Sequence, residues 1–241
     1  MGPASNLKRH VAQALSAPAR WFPSCVELEL QEAMGAGWSP DAADLYCERC
    51  GHTLRPGDSG ACRSCRGKAQ PWDRLVRRGP YAEPLGRWLR ALKFHREWTW
   101  ARWFGEGLAA RVMELGPLPE RCVLCPVPMP RARRWWRGYN QSTLIALAMG
   151  QRLERPVVEL LYRRRYTPPQ SLMAPSERLR SVSGSVGMKR VDLTGWWVWL
   201  VDDVKTTGST LTACVHALRE GGPKGVSVAV GAVADPKSQG V

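Results

Sequence analysis

Residues 201–210 read VDDVKTTGST: two adjacent carboxylates, Asp202 and Asp203, then hydroxyl side chains around a single glycine. Ahead of them GWWVWL (195–200) is an apolar run of strand length. Behind them LTACVHALREGG (211–222) places Leu211, Val215 and Leu218 at helical spacing before a Gly-Gly stop. The stretch therefore reads as a strand, a loop and the start of a helix. At such a junction the first free N–H groups of the helix point into the loop, and small side chains let them surround a phosphate. Carboxylates repel a phosphate, so Asp202 and Asp203 must serve a group attached to it.

Working outward, the 241 residues allow one α/β domain with a small appendage. Apolar residues make up 44%, enough for a packed core and against wholesale disorder. The formal charge is +14, carried mostly by arginine. That excess favours anionic partners, phosphorylated ligands or nucleic acid, although a compositional bias toward arginine would produce it without function. No apolar run is long enough to span a membrane. Near the N-terminus, VAQALSAPA after Lys8 and Arg9 is short and interrupted by Gln13, Ser16 and Pro18. It reads as an amphipathic helix rather than a signal peptide, and the expected location is the cytoplasm.

Four of the eight cysteines fall in YCERCGHTLRPGDSGACRSCRG, as Cys47, Cys50, Cys62 and Cys65. Two Cys-x2-Cys knuckles separated by eleven residues, each followed by a glycine for the tight turn, form the donor set of a closed tetrahedral zinc site. Two disulfides are the alternative, and they require an oxidising compartment. The segment is too short and polar for its own core, so metal would supply much of its folding free energy. A third Cys-x2-Cys, Cys122 and Cys125, lies in RCVLCPVP. On a strand, residues three apart face opposite sides, so these two read as core, as does Cys214 on its helix. Cys25 receives no role.

In the middle of the chain, residues 74–81 read as a strand, and PLGRWLRALKFH and WTWARWFGEGLAARVMEL as amphipathic helices. Trp88, Leu89 and Leu92, then Trp100, Trp103, Phe104 and Leu108, mark a core stripe. A buried strand ending at Val127 then leads through a stiff Pro126-Val127-Pro128 turn into a loop with Arg131, Arg133, Arg134 and Arg137, then Gly138 and an apolar helix headed by Asn140 and Gln141. This is a second strand-loop-helix unit, cationic where the first is acidic. Loops at the carboxyl ends of parallel strands share one crevice, so the two units can share one ligand. Residues 163–184 carry no periodicity and read as a lid or binding loop, with Arg163, Thr167, Gln170 and Arg178 as contact groups.

Taken together, VDDVKTTGST resembles the ribose-phosphate loop of type I phosphoribosyltransferases. With CPVPMPRARRWWRGYNQ, the T-x-x-Q of TPPQ, Glu177-Arg178 and the four-cysteine ribbon, residues 44–233 resemble the ComF family of competence-associated proteins. The resemblance implies a type I phosphoribosyltransferase-like parallel sheet with helices on both faces, preceded by a zinc ribbon. The expected division is an N-terminal segment (1–43), ribbon (44–70), phosphoribosyltransferase-like domain (71–235) and polar tail (236–241).

It further implies a ligand, phosphoribosyl pyrophosphate with Mg2+. Asp202 and Asp203 would accept the ribose hydroxyls, while Thr206, Thr207, Gly208, Ser209 and Thr210 hold the 5-phosphate. The pyrophosphate would lie over Val127 and Pro128 near Gly138, with Arg134, Arg137 and Lys93 stabilising its leaving charge. Gln170 and Arg178 would contribute from the lid. The implied role is phosphoribosyl transfer connected with DNA uptake in natural transformation, alongside other competence proteins. A non-catalytic adaptor for single-stranded DNA is the alternative, suggested by Trp135 and Trp136 among arginines. Departures from the family pattern are Ser181 and Val186 after the Glu-Arg, and Lys93-Phe94-His95-Arg96 in place of Lys-Tyr-x-Gly.

Overall fold

The computed structural model describes residues 25–58, 61–164 and 185–235. Along the chain the main elements are α1 (Cys25–Gly35), β1 (Leu75–Arg77), α2 (Leu85–Arg90), a wider turn of helix over Ala91–His95, and α3 (Thr99–Glu114). Then come β2 (Cys122–Pro126), α4 (Arg131–Arg137), α5 (Gln141–Leu153), β3 (Leu161–Arg163), β4 (Val186–Met188), β5 (Trp197–Lys205), α6 (Ser209–Arg219) and β6 (Gly225–Val233). None of the described helices is long and apolar enough to cross a membrane.

The sheet has the order β1-β6-β5-β2, with every pairing parallel. Beyond β2 the chain returns at Val157, which bridges Leu124 in parallel. From β2 the topology thus steps one way through α5 to Val157, then crosses back to β5 and steps the other way through α6 to β6. The reversal falls between β2 and β5. In an open parallel sheet such a switch point leaves a crevice outside the strands' carboxyl ends. A separate antiparallel pair, β3 with β4, brackets residues 165–184.

Strand alternation explains the two-sided core. In β5, Trp199 and Val201 join the apolar cluster under α2, α3 and α5, whereas Val198 and Leu200 join the one under α6. Cys122 lies in the first cluster and Cys125 in the second, so the period-2 argument that kept them off a common metal holds. The tryptophan stripe is core as expected: Trp88 and Trp100 are fully buried and stack at 4.5 Å between ring centroids.

Three expectations on element boundaries change. The strand read over 74–81 pairs as β1 only to Arg77, although Pro80 still bridges Val233. The cationic loop is partly helical: Arg134 N–H bonds the Pro130 carbonyl at 2.9 Å, and α4 runs from Arg131 to Arg137. A proline ahead of the first turn fixes φ without sacrificing a helical donor, a signal the loop reading passed over. The helix read over PLGRWLRALKFH widens at Ala91–His95 and stops where Arg96 turns left-handed. The N-terminal VAQALSAPA helix, most of the lid segment with Gln170 and Arg178, and the tail lie outside the described residues.

Candidate functional site

At the switch point, the loops after β2 and β5 enclose a cleft of about 390 Å³. Its walls include Lys93, Val127, Pro128, Arg137, Asn140, Gln141, Asp202, Asp203 and Thr210, nine of the residues singled out from sequence. Asn140 caps α5 by accepting from Ser142 N–H at 3.2 Å, and its Nδ2 donates to the Val127 carbonyl at 2.9 Å. One side chain therefore starts the helix and pins the Pro-Val-Pro turn. Gln141 is 1% exposed; its Oε1 accepts from Arg137 at 3.3 Å, while its Nε2 has no hydrogen-bond partner among the described residues. A buried unpaired donor on a cleft wall is open to an acceptor in the cleft, water or ligand.

The two carboxylates have different neighbours. Asp202 accepts from Ser142 Oγ at 2.7 Å, and Asp203 forms an ion pair with Lys93 Nζ at 3.1 Å. Burial, then the adjacent Asp203 charge, pushes the Asp202 carboxyl up to about 7. Burial pulls Arg137 down, and Arg133 adds to the effect. The Arg137 guanidinium lies 4.8 Å from the Phe94 ring centroid. At the far end, Gly208 turns left-handed at φ 81° and its carbonyl accepts Thr212 N–H at 2.8 Å, aiming the start of α6 at the loop. Thr206 and Thr207 are exposed, and Thr207 and Ser209 exchange a hydroxyl hydrogen bond at 3.0 Å.

Some placements differ from the sequence reading. Arg134 points away from the cleft lining toward Glu159, 3.8 Å off, and Arg133 lines the cleft instead. Gly138 closes α4 by donating to the Arg134 carbonyl at 2.8 Å and does not line the cleft. The lining residues that escaped the sequence reading of the site include Ser142, Tyr81, Arg90 and Phe94. Ser142 was findable, one residue past the Asn-Gln helix start, and Arg90 lies one helical turn before Lys93. Tyr81 reaches the cleft only through the β1–β6 pairing, which no local pattern encodes. Arg163 holds the rim by donating to the Pro128 carbonyl at 3.1 Å and to Ser185 Oγ at 3.2 Å.

Beside this cleft the four ribbon cysteines are buried, and their sulfurs all lie within 4.8 Å of one another, Cys50 and Cys62 at 3.5 Å. Thiolates held tetrahedrally by bonds of about 2.3 Å stand roughly 3.8 Å apart, so the set fits one metal ion. None of the four is in a disulfide. The ribbon is fastened to the sheet at β1, where Leu75 N–H donates to the Glu48 carbonyl at 2.6 Å. Arg77 is fully buried and donates to the Gly51 carbonyl, to Thr53 Oγ1 at 2.8 Å and to Asp41 at 2.5 Å. Gly51 is required there: a Cβ would meet Leu75 Cδ2 at 2.6 Å, and its φ is 76°.

No family model matches the chain. A purine phosphoribosyltransferase structure from Pyrococcus horikoshii aligns at 17% identity with a TM-score of 0.34, over 66% of this chain and 78% of that one. DNA utilization protein YhgH of Escherichia coli K12 is 31% identical over 192 residues, 76% of this chain and 81% of that protein. Competence protein F of Haemophilus influenzae is likewise 31% identical over 192 residues, 76% of this chain and 82% of that protein. Identity sustained over that share of both proteins establishes the relationship expected from the motifs, and the chain belongs to the ComF family of competence-associated proteins.

Proposed function

We propose that the chain binds phosphoribosyl pyrophosphate with Mg2+ in the switch-point cleft and transfers the phosphoribosyl group, in a role connected with DNA uptake. The observation that carries this reading is the presence of both signs of charge within one cleft. Asp202 and Asp203 line it together with Arg133 and Arg137, and Thr210 from the small-residue start of α6 lines it as well. A ribose phosphate bearing a pyrophosphate has groups for each: hydroxyl donors in the middle and anions at both ends. The carboxylates accept the ribose hydroxyls, the N–H groups at the start of α6 receive the 5-phosphate, and Gln141 Nε2 offers a donor to the pyrophosphate side.

In the transfer, the C1–O electron pair departs with the pyrophosphate while an acceptor lone pair forms the new bond at C1. Arg137 and Lys93 stabilise the departing charge from fixed positions. Bound Mg2+ supplies further neutralisation of the pyrophosphate. The acceptor is unassigned: among the described residues no His or Glu lines the cleft to act as a general base. The test is thermal denaturation with and without Mg2+ and phosphoribosyl pyrophosphate. Ligand at 100 times its dissociation constant adds about 2.7 kcal/mol, which for this size raises Tm by roughly 5 to 10 °C. An unchanged Tm at millimolar ligand removes the reading.

A second reading, a single-stranded DNA adaptor, is favoured by α4. Trp135 is 89% exposed and Trp136 68%, on a helix that also carries Arg131, Arg133 and Arg134. Exposed indoles beside cations suit stacked bases and a phosphate backbone. On this reading, replacing Arg133 and Arg134 with alanine flattens the salt dependence of DNA binding by about one to two units of log–log slope. An unchanged slope places any DNA contact elsewhere.

A further inference from the structure

We infer that Trp72 and Lys205 are positioning residues that tie the metal-loaded cysteine ribbon to the phosphate loop, so that the ribbon holds Gly208 and the first turn of α6 in the geometry that receives the phosphate. The ligand's identity rests on the proposed function, but the tie itself does not.

Both side chains touch the two parts at once. Trp72 is 5% exposed, and its Nε1 donates at 2.7 Å to the carbonyl of Arg49, inside the Cys47–Cys50 knuckle. The far edge of the same indole abuts the loop: a Cβ built on Gly208 would lie 3.6 Å from its Cη2. Lys205 is also 5% exposed. Its stem runs beneath the loop, with Cε 3.2 Å and Nζ 3.9 Å from that same Cβ position, and its ammonium lies within electrostatic reach of Cys50, Cys65 and Asp235. Its backbone is fixed by the pairing of β5 with β6, and its carbonyl accepts from Ala234 N–H at 2.8 Å.

The chemistry explains why a lysine belongs there. A divalent ion in four thiolates leaves a net charge of about −2, which buried surroundings tolerate only with donors and counter-charge close by. Gln70 Nε2 donates to Cys65 Sγ at 3.6 Å, and Lys205 supplies the cation. When the metal is present, Lys205 is drawn to the ribbon and its stem packs under Gly208. When the metal leaves, the ribbon's share of that counter-charge is lost and Asp235 alone remains, so the ammonium is held less firmly in its buried place. Gly208 would then lose its floor on the Lys205 side. Because its carbonyl starts the α6 ladder at Thr212, the N–H groups of the first turn lose their aim with it.

The experiment uses the full metal-loaded chain. Trp72→Phe removes the indole N–H and keeps the ring; Lys205→Met removes the charge and keeps the stem. With metal content unchanged, amide exchange at Thr212 and its neighbours speeds up about tenfold in each variant, while central β5 and β6 amides keep wild-type protection. Affinity for Mg2+ and phosphoribosyl pyrophosphate falls about tenfold in parallel. Chelating the metal from the wild type reproduces the faster exchange and adds little more in the variants. Wild-type exchange rates in both metal-loaded variants overturn the tie. If Trp72→Phe loosens the whole sheet, Lys205→Met alone decides. Exchange that responds in a wild-type chain unable to bind phosphoribosyl pyrophosphate sinks the ligand reading and leaves the tie standing.

Discussion

Asp202→Asn combined with Asp203→Asn lowers affinity for phosphoribosyl pyrophosphate by about a hundredfold. Two charge-assisted hydrogen bonds to the ribose hydroxyls, worth roughly 1.5 to 3 kcal/mol each, become neutral ones worth about 0.5 to 1.5, so the pair loses about 2 to 3 kcal/mol. At residue 202 the amide keeps the local contacts, because Ser142 Oγ and the N–H of residue 203 can still donate to its Oδ1, while Asp203→Asn gives up the Lys93 ion pair. The single variant Asp202→Asn isolates the buried carboxyl: its stability without ligand holds or rises, and the pH dependence identifies the cause. Burial and the Asp203 charge hold the Asp202 carboxyl up at about 7 in the folded chain, against 3.8 for an ordinary aspartate in the unfolded one. Between those values the folded state binds more protons, so wild-type stability falls as pH rises from 4 to 7. Asp202→Asn lacks that slope and is the more stable protein at pH 8, by about 1 to 2 kcal/mol once the water-facing cleft is allowed for. The advantage vanishes toward pH 4. Calorimetry across that range checks the sign, and isothermal titration checks affinity. A double variant that binds the ligand normally, or unfolds, assigns the carboxylates to the scaffold.

Cys47→Ser takes the chain from one zinc to none and lowers Tm by about 10 °C or more. Losing one thiolate opens the site, and the damage then spreads through Arg77. That guanidinium is fully buried and spends its donors on Gly51, Thr53 and Asp41, two of them in the ribbon and one just before it. If the ribbon loosens, the buried guanidinium keeps Asp41 and Asp235 but loses its two ribbon hydrogen bonds, about 1.5 to 3 kcal/mol each; for a chain of this size each kcal/mol shifts Tm by roughly 2 to 4 °C. Metal analysis of wild type and variant, with a melt of each, settles the point. Absence of zinc from the wild type, or undiminished zinc in the variant, removes the metal reading.

What the chain determined locally was readable locally. The strand-length apolar run ahead of Asp202 and the 3.6-residue spacing in α6 made VDDVKTTGST a strand-loop-helix junction, and the structure has it as β5, Gly208 and α6. The period-2 rule separated Cys122 from Cys125, and the spacing of Cys47, Cys50, Cys62 and Cys65 brought four sulfurs together. These features depend on neighbours a few residues away, or on a spacing that only one chemistry uses.

The pairings that make the cleft a site were decided by tertiary structure. Lys93 meets Asp203 and Ser142 meets Asp202 only because α2 and α5 end beside the switch point between β2 and β5. The raised Asp202 pKa follows from that burial, which no residue pattern states. Arg77, Trp72 and Lys205 looked like ordinary strand and loop residues; docking the ribbon on β1 set Arg77 and Trp72 against its backbone, and Trp72 and Lys205 against Gly208. Nor did composition tell that Arg134 would turn outward while Arg133 and Arg137 face the cleft. A helix of seven residues sets its side chains by its docking angle, and that angle is fixed by Pro130, Gly138 and the pinned Pro-Val-Pro turn acting together. Sequence carries periodicity and chemistry along the chain, whereas which charges face each other across a cleft depends on contacts between residues 60 to 110 positions apart, and those exist only once the sheet has formed.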